Sequence, residues 1–213
     1  MHLYVHVPFC QRRCSYCDFS IAVRKRIPAR EYVDVILREA AQIQERDFET
    51  IYFGGGTPSL LPPGAIATIL SELAPGKEVT LEANPEDVTP DAAKAWRNAG
   101  INRVSLGAQS FDDAVLKWMH RSHDAAQSKR AVQALRDAGI ENISLDLIFG
   151  LPEELQRDWE RDLESACALR TTHLSLYGLT VEPRTPLDRW ISRGATAAPD
   201  EDRYAEEYLT AHR

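Results

Sequence analysis

The chain has 213 residues, 44% of them apolar, with 25 basic and 32 acidic side chains and a net charge of −7. That suits one compact domain with its own core, or one domain and part of a second. No basic run exceeds Arg24-Lys25-Arg26, which argues against nucleic acid as a partner. No apolar stretch approaches the roughly 20 residues of a membrane helix, and Met-His-Leu-Tyr-Val-His-Val at the start reads as a strand rather than an export signal. A cytoplasmic location is expected, with membrane contact only through a partner.

In chain order, strands are predicted at 2–7, 50–54, 78–84, 102–108, 142–149 and 172–178. Helices are predicted near 29–46, 62–73, 90–99, 111–137 (broken near Ser122-His123-Asp124), 153–169 and 199–212. Thr89-Pro90-Asp91 reads as an N-cap followed by proline at the first helical position. Gly100 and Gly139 stand where helices end. Repeated strand-then-helix units imply parallel strands joined by right-handed crossovers. Strands covered on both faces are apolar nearly throughout, but here only alternate positions are. One parity carries residues such as Val5, Phe53, Leu81, Leu106, Leu145 and Leu176; the other carries His6, Tyr52, Glu82, Ser105, Asp146 and Tyr177. Successive side chains point to opposite faces, so one face packs on helices and the other lines a polar lumen. The expected fold is α/β, a partial, three-quarter (β/α)6 TIM-like barrel of parallel strands with outer helices, since six strands are too few for full closure.

Three of the four cysteines, Cys10, Cys14 and Cys17, sit within eight residues directly after the first strand. A tight cluster without an export signal points to metal rather than disulfides. Strand C-terminal ends are also where parallel barrels place their chemistry. Three thiolates can hold three irons of a cubane cluster and leave the fourth open. The competing reading is a structural zinc site with His6 or a distant residue as fourth ligand. Cys167, in a helical stretch, reads as a small buried apolar residue. Trp96, Trp118, Trp159 and Trp190 read as core or interface residues, and His2, His6 and His173 as lumen or rim histidines. Glu82 and Asp146 lie in apolar-flanked strands, where a carboxylate needs a partner; a structural ion pair with Arg103 or Arg121 is the alternative to a ligand role.

The spacing Cys10-x3-Cys14-x2-Cys17, with Tyr16 before the last cysteine, resembles the defining motif of the radical S-adenosylmethionine (SAM) superfamily. Tyr4-Val-His-Val-Pro-Phe-Cys10, Gly54-Gly-Gly-Thr-Pro-Ser, Leu81-Glu-Ala-Asn-Pro-Glu, Ser105-Leu-Gly-Ala-Gln-Ser-Phe, Arg121-Ser-His123 and Asp146-Leu-Ile-Phe-Gly-Leu-Pro resemble the oxygen-independent coproporphyrinogen III oxidase-like family, in order, from residue 3 to about 190. The resemblance implies a 4Fe-4S cluster whose open iron binds the amino and carboxylate groups of SAM, which electron transfer cleaves to a 5′-deoxyadenosyl radical. It implies that Gly55, Gly56 and Thr57 meet the methionine end of SAM. Glu82, Gln109, Arg121 and Asp146 would hold amino, ribose or carboxylate groups of one or two SAM molecules. Tyr4 would sit beside the cluster, with His6 a second candidate there, and the Tyr16 backbone would approach the adenine.

Two departures bear on function. Members that oxidatively decarboxylate coproporphyrinogen III carry a further cysteine two residues after the third, where this chain has Phe19, and an extension before the first strand, on which this chain almost begins. Both features resemble the heme-chaperone (HemW-type) branch, which binds heme and passes it to acceptor proteins. Pro152-Glu-Glu-Leu also differs from the Pro-Gly-Gln-Thr of many relatives. The expected organisation is a radical SAM core over 1–190, with 191–213 the start of a C-terminal helical accessory region that continues beyond Arg213 and carries most of the heme contacts. The implied partners are SAM, heme or a porphyrinogen, a reductant such as flavodoxin or ferredoxin, and a heme-acceptor protein.

Overall fold

The computed structural model describes residues 1–44, 47–73 and 76–213. The chain opens with β1 (His2–Val7), the two-residue strands β2 (Phe9–Cys10) and β3 (Ala22–Val23), and α1 (Ala29–Ala40). There follow β4 (Thr50–Gly55) with α2 (Pro63–Glu72), β5 (Glu78–Ala83) with α3 (Pro90–Ala99), and β6 (Arg103–Gln109) with α4 (Asp113–Trp118) and α5 (Ala125–Asp137). β7 (Asn142–Phe149) leads to α6 (Trp159–Ala168) and β8 (His173–Gly178) to α7 (Pro186–Ser192), with α8 (Glu201–Thr210) last.

The six long strands form one parallel sheet in the order β1-β4-β5-β6-β7-β8. Among the described residues β8 does not pair with β1, so the sheet stays open. It is nevertheless curled. Tyr52 on β4 lies within electrostatic reach of Tyr177 on β8, whereas four strand spacings in a flat sheet would hold the two about 19 Å apart. This is the α/β three-quarter barrel expected from the strand parity. At the two open edges the inward-parity residues Tyr4 on β1 and Tyr177 on β8 are 55% and 56% exposed.

The outward parity packs on the helices: Val7, Ile51, Phe53, Leu81, Leu106, Ile143 and Leu145 are buried in one continuous core with Ile66, Ile69, Trp96, Val132 and Leu135 from the helix layer. Caps fix where the helices start. Thr89 accepts from the Ala92 amide ahead of Pro90, Asp112 caps α4, and Asp124 with Gln127 forms a capping box on α5. Gly100 and Gly139 have φ of +108° and +82°, the left-handed turn that ends a helix.

Several boundaries differ from expectation. α1 stops at Ala40 rather than 46, and residues 45–46 lie outside the described residues. α6 starts at Trp159 because Glu153–Leu155 forms a 3₁₀ turn and Gln156 turns left-handed at φ +49°. The helix α7 and the β2/β3 pair were not foreseen. The Trp159 indole N–H donates to the Glu207 carbonyl (2.8 Å), and Arg157 pairs with Glu207 at 2.6 Å, both buried, so α8 packs on the end of β7 and on α6. No described helix is long and apolar enough to cross a membrane.

Candidate functional site

The site begins where β1 ends. Pro8 turns the chain, β2 places Cys10, and the following loop is tied down on three sides. The Gly56 and Thr57 amides donate to the carbonyls of Val7 and Phe9 (both 2.8 Å), and the Ala22 and Arg24 amides to those of Pro8 and Cys10 (2.7 and 2.9 Å). The Ser15 amide donates to the Met119 carbonyl and the Leu187 amide to the Ser15 carbonyl. The cysteine loop is therefore held by β4, by β3 and by the ends of α4 and α7.

All three thiols are free and line one cavity of about 410 Å³. Thr57 donates its hydroxyl to the Cys10 sulfur (3.4 Å), and Arg121 a guanidinium N–H to the Cys14 sulfur (3.6 Å). Burial pushes the Cys10 and Cys17 thiols up, while the charge of Arg13 opposes this at both. Among the described residues no three His, Cys, Asp or Glu side chains meet closely enough to hold a single metal ion. Three thiols on one cavity wall are a donor set that a polynuclear iron cluster can use. Among the described residues no fourth cysteine lines the cavity, and the buried Nε of Arg121 has no partner. Both features fit a cluster with a ligand above it.

The polar strand face continues this cavity inward. Glu82 accepts from the Tyr52 hydroxyl (2.8 Å) and the Gly55 amide (3.1 Å); burial raises its carboxyl, and those two bonds oppose the rise. Asp146 accepts from Ser105 at 3.0 and 3.1 Å, and burial lifts its carboxyl to about 6. Neither carboxylate forms an ion pair among the described residues, which sets aside the structural pairing with Arg103 or Arg121. Gln109 lies beyond a register shift in β6 and has φ +67°. A non-glycine residue held there is strained, as functional positions often are. Arg121 donates to Asn84 (2.6 Å) and the Gly107 carbonyl (3.0 Å), which fixes it between β5, β6 and the cysteine loop.

Cys10, Cys14, Cys17, Tyr16, Gly55, Gly56, Thr57, Glu82, Gln109, Arg121 and Asp146 all border this cavity; Tyr4 and His6 do not. Tyr4 stacks on Tyr52 at the open edge, and its hydroxyl bonds His6 Nδ1 at 3.2 Å. Tyr16 packs against the small buried cluster that includes Val115, Met119 and Leu187. The glycines serve the protein as well as the cavity. A Cβ on Gly56 would lie 2.7 Å from the Phe9 carbonyl, and one on Gly55, at φ +119°, 2.6 Å from the His6 ring. Their lack of side chains lets β4 hold the loop that carries Cys10.

Sequence reasoning gave no site role to Asn84, to Glu86 (which bonds the buried His123 at 3.1 Å) or to His120, all at the cavity. Polar residues just past a strand end were the available signal. Phe19 also borders the cavity, 64% exposed. Cys167 is corrected: it is exposed, because the inward stripe of α6 is Trp159, Asp162 and Ala166, and residue 167 falls outside it.

Residues 4–166 match the Radical SAM superfamily. Heme chaperone HemW of Synechocystis is 41% identical over 96% of this chain and 53% of its own length. HemW of Escherichia coli is 40% identical over 87% and 52%. The mouse mitochondrial radical S-adenosyl methionine domain-containing protein 1 is 37% identical over 97% and 49%. Among solved structures, the coproporphyrinogen III oxidase HemN of Escherichia coli, a radical SAM enzyme, superposes with a TM-score of 0.84 at 25% identity, over 97% of this chain and 50% of that one. The chain thus spans about half the length of the curated relatives it matches. With that match running from β1 through the cysteine loop to α6, the chain belongs to the radical SAM superfamily, which implies a 4Fe-4S cluster and SAM as its cofactors.

Proposed function

We propose that this chain is the SAM-binding core of a heme chaperone, with Cys10, Cys14 and Cys17 as cluster ligands. The observation that carries the cofactor site is the single cavity shared by three thiols, two desolvated carboxylates and Arg121. When bound, the cluster and SAM would supply radical chemistry by reductive cleavage of the sulfonium. The residues of the chain do the rest. Thr57 and Arg121 steady the Cys10 and Cys14 sulfurs through hydrogen bonds. Glu82 offers a negative, desolvated acceptor for a ligand ammonium, Asp146 one for hydroxyl groups, and the free edge of Arg121 meets a carboxylate. Gln109, aimed by its strained backbone, adds an amide to the same wall. Gly55 and Gly56 leave backbone rather than side chain beside the ligand.

The heme-chaperone reading rests on the names of relatives at 35–41% identity and on Phe19 in place of a further cysteine. Heme, a reductant and a heme-acceptor protein are its partners. A second reading, oxidative decarboxylation of coproporphyrinogen III, draws on the likeness to HemN. Anaerobic assays of the reduced, cluster-loaded protein separate them. The chaperone reading expects SAM cleavage that responds to added heme and no protoporphyrinogen from coproporphyrinogen III. Clear turnover to protoporphyrinogen overturns it.

A further inference from the structure

The charge of this molecule is unevenly placed. Residues 11–28 hold five basic side chains (Arg12, Arg13, Arg24, Lys25 and Arg26) against one acidic, Asp18, a net of +4. The rest of the chain holds 20 basic and 31 acidic residues, a net of −11. All five basic residues are exposed, and the same segment carries two of the exposed large apolar side chains, Phe19 at 64% and Val23 at 44%.

The fold draws this segment around the thiols. Arg12 donates to the carbonyls of His120 and Arg121 (3.2 and 3.3 Å), and Arg13 to that of Cys17 (3.1 Å). On the other side, the Arg24 amide donates to the Cys10 carbonyl at 2.9 Å, so the run Arg24-Lys25-Arg26 leaves directly from the strand that pairs with Cys10. Among the described residues the side chains of this run make no hydrogen bond to the cysteine loop, and Arg24 reaches back to the Val23 carbonyl. None of the three borders the cavity. The cavity does not explain them, and they stand outside it as an exposed basic rim on the segment that carries apolar Phe19 and Val23.

We propose that this rim is the docking surface for an acidic electron-carrier protein that reduces the cluster. The proposal rests on the cluster assignment to Cys10, Cys14 and Cys17. A thiolate-bound cluster that must accept an electron needs its donor close by, because electron transfer falls off steeply with distance. A positive rim on an otherwise acidic chain steers a negative partner to that point and turns it away elsewhere. Exposed apolar side chains inside a charged rim match the anatomy of transient protein interfaces. An anionic lipid surface would also be drawn to basic and apolar residues, but it gives no reason for the basic residues to flank the cysteine loop on both sides.

The test uses cluster-loaded protein and the triple variant Arg24→Glu/Lys25→Glu/Arg26→Glu, which alters no cavity residue. Cluster reduction is followed by stopped-flow absorbance with photoreduced flavodoxin as donor and, separately, with the small 5-deazaflavin radical. The expected result is a flavodoxin rate constant that falls as ionic strength rises and drops on the order of tenfold or more in the variant at low salt, with the deazaflavin rate unchanged. Wild-type flavodoxin rates in a variant with an intact cluster would overturn the docking surface, as would equal slowing with both donors. Loss of binding to phosphatidylserine vesicles with an unchanged flavodoxin rate would reassign the rim to lipid. Failure of the unaltered protein to assemble a cluster would instead strike the cluster assignment, and the docking surface with it.

Discussion

The two faces of the same sheet follow different rules. On the outer face, Ile51, Phe53, Leu81, Leu106 and Leu145 are buried against helices and carry no polar group. On the inner face, the neighbouring residues Tyr52, Glu82, Ser105 and Asp146 bond one another or the backbone, and the last three line the cavity. The outer face gains stability from apolar burial. The inner face places two carboxylates where burial disfavours their charge. The alternation of a strand lets one segment fold and hold ligand at once, and it predicts that substitutions one residue apart have separable effects.

The largest effect is expected at the cavity mouth. Cys14→Ala should abolish cluster assembly, read as iron and labile sulfide per chain, with the helical circular dichroism retained; a normal cluster would show the ligands to be wrong. Next, Leu81→Ala should lower unfolding stability by about 2–5 kcal/mol in denaturant titration. Cluster content in the folded fraction should stay unchanged, and a selective loss of cluster would break the division between faces. Its neighbour Glu82→Gln should do the reverse, weakening SAM binding about tenfold or more, as expected for a lost charged hydrogen-bond partner, with a shift in stability of about 1 kcal/mol or less.

A subtler effect concerns pH. The Asp146 carboxyl stands at about 6, above its ordinary value, because burial disfavours its charge. Its contribution to stability is therefore fully present below the ordinary aspartate value and is lost as pH rises through about 6. Ligand binding should run the other way, weakening as pH falls through the same point and the acceptor is protonated. Denaturant titrations between pH 3 and 8 for stability and calorimetric SAM titrations between pH 5 and 8 for binding should show both trends damped in Asp146→Asn, and identical profiles in that variant would remove Asp146 from the site. The smallest expected effect is at Cys167. Exposed on α6, its change to Ser should leave iron content and stability as they were.

Much of the barrel was legible because its signals repeat. Six strands share one parity, and Thr89-Pro90 and Gly100 mark α3 from both ends. Shorter features had no period to read. β2 and β3 are two residues each, defined by backbone bonds from the Ala22 and Arg24 amides to the Pro8 and Cys10 carbonyls rather than by pattern. α7 could have been found, since Thr185-Pro186 repeats the N-cap and proline of Thr89-Pro90. At the site, spacing identified the three cysteines, and strand parity found Glu82 and Asp146. Spacing could not reveal that Gly55 and Gly56 brace the cysteine loop, nor that Tyr4 lies at the open edge, because both depend on which strands adjoin. Arg121 shows the same limit from the other side: its bonds to Cys14, Asn84 and Gly107 join three segments far apart in sequence.

The most direct test of the central claim is electron paramagnetic resonance of the reduced, reconstituted chain, with and without SAM. A 4Fe-4S cluster held by three thiolates, with one iron open to ligand, predicts a signal that changes when SAM is added and is absent from Cys14→Ala. A signal indifferent to SAM, or a preparation containing zinc and no labile sulfide, would contradict it.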